Sequence, residues 1–252
     1  MFTAIASLLT LSLYLLSVNA HGYVQDVQIG STHYTGYLPY QDPYMNPQPQ
    51  RIIRKIPGNG PITDVKSIDM QCNGNTAGGS PGTSPAPLVA KVAAGSDVKL
   101  TWTTWPESHK GPALTYMARA PSDITKWNPG TSAVWFKVAE AGKTSAGWAA
   151  TDVLYANNHV YTFKIPPKLK PGQYIIRHEL IALHESFGYP GSQFYPSCIQ
   201  VEVTGSGTAL PTSGLVSFPG AYTQSSPGIV YNIYTNTSAY PIPGPAVWKG
   251  GN

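Results

Sequence analysis

No stretch of this chain sustains an apolar period of 3.6 residues, so helices of any length are excluded as its framework. Short runs that alternate apolar and polar residues recur instead. Val98, Leu100 and Trp102 alternate with Lys99 and Thr101, and Ile199, Val201 and Val203 alternate with Gln200 and Glu202. The pattern predicts strands over residues 22–30, 88–92, 97–105, 113–120, 134–138, 160–165, 174–184 and 198–203. Turn signals separate them at Pro129-Gly130, Lys170-Pro171-Gly172 and Gly205-Ser206-Gly207. Short strands with Gly/Pro turns predict an all-β sandwich, of Greek-key type.

Two segments lie outside this pattern. Residues 33–61 carry Pro39, Pro43, Pro47 and Pro49 interleaved with Tyr34, Tyr37, Tyr40 and Tyr44, and read as one long surface loop. Residues 210–252 hold no strand pattern and should wrap the sandwich or extend one of its loop faces.

The first twenty residues read as a secretory signal. Ser7 to Val18 is almost wholly apolar, and Val18-Asn19-Ala20 is a small-residue cleavage pattern. Cleavage there would make His21 the first residue of a single domain, 21–252, for which no appended binding module is expected. An exported chain with two cysteines, Cys72 and Cys198, should form one disulfide. Closing a loop longer than about 100 residues is worth ~4–5 kcal/mol on loop entropy. Asn236-Thr237-Ser238 is an N-glycosylation acceptor.

Charge narrows the partners. Sixteen Lys and Arg against twelve Asp and Glu give a net charge of +4, and the basic residues are scattered, which gives nucleic acid binding no support. With 16 Tyr and 6 Trp, the surface suits an uncharged partner such as a glycan. A hydrolase would need paired carboxylates near the aromatic loops, and none stands out.

The histidines carry the chemistry. His178-Glu179-Leu180-Ile181-Ala182 is not a zinc-protease motif, because Ala182 stands where the second histidine is required. On a strand, His178 and His184 would share a face but lie roughly 20 Å apart. His33 and His159 read as exposed polar residues, and His178 as a satisfied polar residue in or beside a sheet. His21 differs by position. A terminal histidine offers its α-amine and ring Nδ1 as a chelate, and a second imidazole would complete three nitrogens. Copper(II) favours such tetragonal nitrogen sites. His109, in Pro106-Glu107-Ser108-His109-Lys110-Gly111-Pro112, is the candidate second ligand, with Gln193 and Tyr195 downstream.

Ordered motifs across the chain then resemble one family. They are His21-Gly22-Tyr23-Val24, Trp105 to Pro112 with Tyr116, and Pro171-Gly172-Gln173-Tyr174 leading to Arg177 and Glu179. Ile181-Ala182-Leu183-His184, Gln193-Phe194-Tyr195-Pro196-Ser197-Cys198, Phe218-Pro219-Gly220-Ala221-Tyr222 and Tyr240 to Pro245 follow. The chain resembles the fungal lytic polysaccharide monooxygenases of auxiliary activity family 9, formerly glycoside hydrolase family 61. The resemblance implies an immunoglobulin- or fibronectin III-like β-sandwich with long surface loops and a flat copper face.

It also implies roles. His21 would bind one copper ion through its amine and Nδ1, His109 through Nε2, and Tyr195 would sit on the axis. His184 and Gln193 would hydrogen-bond an oxygen species. At i and i+2 on a strand, Gln193 and Tyr195 face the same way. Arg177 and Glu179 share a face by the same rule and are expected to support that network. Cys72 and Cys198 match the family's main disulfide, and Tyr44, Tyr222 and Tyr231 are candidate platforms for stacking on glucan. The implied activity is oxidative cleavage of β-1,4-glucan, cellulose first, at C1 or C4. It would draw on an external electron donor (a small reductant, a phenol or cellobiose dehydrogenase) with hydrogen peroxide or dioxygen. The implied protein is secreted and monomeric. The alternative is a non-catalytic carbohydrate-binding β-sandwich module.

Overall fold

The computed structural model describes residues 21–236 and 239–250. The signal-peptide expectation falls on residues 1–20, outside the described residues.

Two sheets face one another. The smaller has four strands in the order β2-β1-β4-β9: β1 (Val24–Ile29), β2 (Thr32–Thr35), β4 (Asp97–Trp102) and β9 (Val160–Lys164). The larger has five in the order β3-β11-β10-β5-β6: β3 (Ala90–Ala93), β5 (Ala113–Arg119), β6 (Trp135–Ala141), β10 (Gly172–Ala182) and β11 (Gln193–Thr204). A small hairpin, β7 (Lys143–Thr144) with β8 (Gly147–Trp148), stands apart. Neighbouring strands are antiparallel except β3, which runs parallel to β11. This is the expected sandwich.

The core between the sheets is built from alternate residues of each strand. Val27, Leu100, Trp102 and Phe163 of the smaller sheet meet Met117, Phe136, Ile176, Leu180, Tyr195 and Val201 of the larger. The larger sheet is covered on its outer face as well. Leu114, Tyr116, Ile175, Ile181, Phe194 and Cys198 pack there against Met70, Phe218, Tyr222 and Tyr240 from the loops. Burial on both faces fits the apolar pairs Ile175-Ile176 and Leu180-Ile181 of β10, as covered strands require. The Arg177-His178-Glu179 run between them is buried too and satisfied by hydrogen bonds.

The C-terminal segment supplies much of that cover, as expected. It bridges Val216 to Trp135 and donates from the Trp248 amide to the Lys137 carbonyl at 2.8 Å. The disulfide joins Cys72 to Cys198 with Cα atoms 5.1 Å apart, fastening the short turn Ile68–Met70 onto β11.

Three expectations change. Residues 33–35 belong to a strand, β2, not to the long loop: Gly30, at φ +60°, turns the chain back so that β2 pairs with β1. β2 is an exposed edge with no apolar alternation to announce it. A helical turn over Ala149–Val153 and Leu154–Ala156 went unforeseen because two turns are too short for a period. His159 is half-buried at φ 62° with its ring 4.7 Å from that of Tyr155, so it is not a simple exposed residue. His33 is exposed beside Asp26, and His178 is buried and paired, both as read from the sequence.

Candidate metal centre

The sandwich brings the N-terminal stretch against the loop after β4. The Tyr23 amide donates to Thr103 Oγ1 at 3.1 Å, and the Thr103 amide donates to the Tyr23 carbonyl at 2.9 Å. Gly22 allows the approach, since a Cβ there would stand 3.0 Å from both Thr103 Oγ1 and Trp105 Cε3. Asn59 Nδ2 donates to the His21 carbonyl at 3.1 Å, and Tyr40 donates to Asn59 Oδ1 at 2.8 Å. His21 is therefore fixed on both sides.

His109 closes a tight turn, its amide bonded to the Pro106 carbonyl at 3.0 Å. Trp105 Nε1 donates to the His109 carbonyl at 3.1 Å, so the buried indole anchors the turn from below. The imidazoles of His21 and His109 meet edge to face, with centroids 5.6 Å apart and planes at 73°. His184, just past the end of β10, stacks on His109 at 4.0 Å. The Tyr195 ring lies 5.9 Å from that of His21 and 6.3 Å from that of His109, and packs at 4.7 Å on Trp105. Its hydroxyl donates to Gln193 Oε1 at 2.6 Å, as two residues on one strand face permit. His21, His109, His184, Gln193 and Tyr195 thus stand together.

Burial sets the proton states. It pushes the His21 and His184 imidazoles below their usual range, and it holds His109 at about 4, helped by the neighbouring His184 and His21. Burial likewise raises the Tyr195 phenol, so it stays protonated and acts as a neutral oxygen. Neutral imidazoles with free lone pairs are what a metal requires. His109 Nε2 is buried and has no hydrogen-bond partner in the protein, and the same is true of His184 Nδ1. Among the described residues, no three His, Cys, Asp or Glu side chains gather as a metal-binding group. The donor set here is two imidazoles and a phenol, to which a terminal amine at His21 would add a third nitrogen.

Two expectations fail. Arg177 and Glu179 form a buried bidentate pair at 2.6 and 2.8 Å, but on the outer face of β10, opposite Tyr195. Their other partners are the Met70 and Gln71 carbonyls and the Tyr222 hydroxyl, none of which belongs to the histidine cluster. They hold loops onto the sheet. Tyr222 and Tyr231 are buried, at 2% and 7% exposure, so neither offers a ring to a substrate. Tyr44 is 84% exposed, on the turn Asp42–Tyr44.

Other residues went unnoticed in the sequence. Tyr234, 70% exposed, borders a groove of about 930 Å³ that also touches Glu107, Ser108, Lys110 and Tyr155, beside His109. Asn59 carried no signal, being far from His21 in the chain. Ser108 did carry one, standing directly before His109.

The profile of Auxiliary Activity family 9 (formerly GH61) matches residues 21–240. AA9 family lytic polysaccharide monooxygenase B of Gloeophyllum trabeum is 59% identical over 239 residues, 93% of this chain and 94% of that protein. The extended catalytic domain of H. jecorina LPMO9A superposes with a TM-score of 0.82 at 34% identity, covering 91% of this chain and 92% of that one. A cellulose-active polysaccharide monooxygenase from M. thermophila superposes with a TM-score of 0.77 at 34% identity, covering 92% of this chain and all of that one. A profile match over residues 21–240 and relatives of this identity leave one conclusion: the chain belongs to auxiliary activity family 9.

Proposed function

We propose that the chain cleaves β-1,4-glucan oxidatively at a copper ion held by His21 and His109. It is a copper-dependent oxidoreductase of its family, acting on cellulose, and not a non-catalytic binding module. The observation that carries the residue assignment is the edge-to-face imidazole pair with the buried, unpartnered Nε2 of His109.

The chemistry that copper supplies when bound is the redox step, in which electrons from an external donor and hydrogen peroxide or dioxygen lead to hydroxylation of C1 or C4 and loss of the glycosidic bond. The chain's own residues do the positioning. Cleavage before His21 frees the amine that joins Nδ1 of the same residue. Trp105 and the turn 106–109 hold His109 Nε2 toward it. Tyr195, kept protonated by burial and committed to Gln193, fills one side of the site with a neutral ring and oxygen. His184, stacked on His109, and Gln193 place polar atoms where a co-substrate would lie.

Tyr44 and Tyr234 offer flat apolar faces with polar edges, suited to pyranose rings. A surface site of this kind fits a crystalline polymer. The signal-like residues 1–20 support secretion with cleavage after Ala20, the family supports a monomer, and the exposed Asn236 supports N-glycosylation there.

The test is Cu(II) electron paramagnetic resonance with a copper titration on two preparations. One begins at His21, and the other carries one extra residue before it. A tight, nitrogen-rich axial signal that the extra residue abolishes is the expected result, followed by oxidised oligosaccharides from cellulose only when a reductant is present. Equal copper binding by both preparations would overturn the terminal-histidine site.

A further inference from the structure

We propose that Ser108 is a positioning residue that sets the donor strength of His109 toward copper. The inference rests on the reading of His21 and His109 as copper ligands. Ser108 Oγ lies 3.1 Å from His109 Nδ1, while Nε2 on the far side of the same ring is buried and unpartnered. A neutral imidazole carries a single N–H. If Nε2 gives its lone pair to the metal, Nδ1 must carry that hydrogen and needs an acceptor. Ser108 Oγ stands within reach of it.

The ring has little freedom to look elsewhere. Its own amide and carbonyl are engaged by Pro106 and Trp105, and its face lies 4.0 Å from the His184 ring. A hydrogen bond from the second ring nitrogen fixes both the tautomer and the orientation of a metal-binding histidine, and raises its basicity. Where a carboxylate would do this strongly, a hydroxyl does it mildly and leaves the ring uncharged. Ser108 itself is exposed and lines the groove beside Tyr155 and Tyr234. Its own hydrogen can therefore reach water, and hydrogen bonds in series strengthen one another.

The experiment compares wild type, Ser108→Ala, Ser108→Thr and His109→Ala, all beginning at His21, by Cu(II) titration and electron paramagnetic resonance. Ser108 is exposed, so its variants are expected to fold. Ser108→Ala should bind Cu(II) about tenfold more weakly, the lower end of the loss seen for such partners, with an altered nitrogen hyperfine pattern. Ser108→Thr, which keeps the hydroxyl, should restore both. Wild-type affinity and spectrum in Ser108→Ala would overturn the inference, as would a loss that Ser108→Thr does not repair. Undiminished binding by His109→Ala would instead overturn the copper assignment beneath it, so the two failures are told apart.

Discussion

Trp105 packs its indole on the Tyr195 ring at 4.7 Å while donating to the carbonyl of His109 at 3.1 Å. One buried side chain thus sets the distance between the turn after β4 and the strand β11. The imidazole and phenol of the candidate site are held at that spacing by the inter-sheet core, not by the site itself.

Removing a ligand should cost more than removing a group that supports it. Loss of a supporting partner costs about 10–100-fold in metal affinity. His109→Ala is therefore expected to weaken Cu(II) binding by more than about 100-fold, measured by competition titration. The fold should survive, and thermal unfolding of the metal-free variant would check that.

Tyr195→Phe separates the phenol oxygen from the ring. The ring still packs on Trp105, so the variant should lose only ~1 kcal/mol for the missing bond to Gln193. Cu(II) affinity should stay near wild type while the axial parameters of the resonance spectrum shift. Urea unfolding and spectroscopy on the same sample read the two effects.

Arg177 and Glu179 should prove structural. Breaking a fully buried ion pair by removing one partner costs about 3–5 kcal/mol. Glu179→Ala should lose stability on that scale in urea unfolding and retain wild-type copper affinity. A large loss of affinity in a folded Glu179→Ala protein would return the pair to the copper site.

Tyr44 and Tyr222 should respond oppositely. Tyr44→Ala removes an exposed ring, so cellulose binding should weaken with stability nearly unchanged. Tyr222→Ala opens a cavity among Phe194, Phe218 and Tyr116 and should cost about 3–5 kcal/mol. Pull-down on cellulose and thermal unfolding distinguish them.

His178 should govern part of the acid limb. It is fully buried and held at about 3, by burial first and then by Arg177. The unfolded chain, with a histidine near 6.5, binds more protons than the folded one between those values. Stability from the neutral His178 is complete above about pH 6.5 and is lost as pH falls toward 3. Replacing it with Gln, which can still pair with Thr115, should flatten that slope in unfolding measured from pH 7 to 4.

Fold class and family were legible in the residues alone, and so were the candidates for the site. Alternation fixed which segments become strands, because a side chain's face on a strand follows from its position. A histidine directly after a cleavage pattern could be singled out because its amine is part of its chemistry. Glu179 and Tyr195 mark where that reading stops. Period-two alternation says that Arg177 and Glu179 share a face, and that Gln193 and Tyr195 do. It does not say that these two faces are opposite sides of one sheet. Only packing decided that, by turning Tyr195 toward the smaller sheet and Glu179 toward Tyr222. The same packing buried Tyr222 and Tyr231 on the covered outer face of the larger sheet, where Tyr222 packs on Phe194 and Phe218 and Tyr231 on Trp148 and Tyr240. Asn59 reached His21 by the same route. Contacts between residues distant in the chain are created by the sandwich, and no local pattern encodes them.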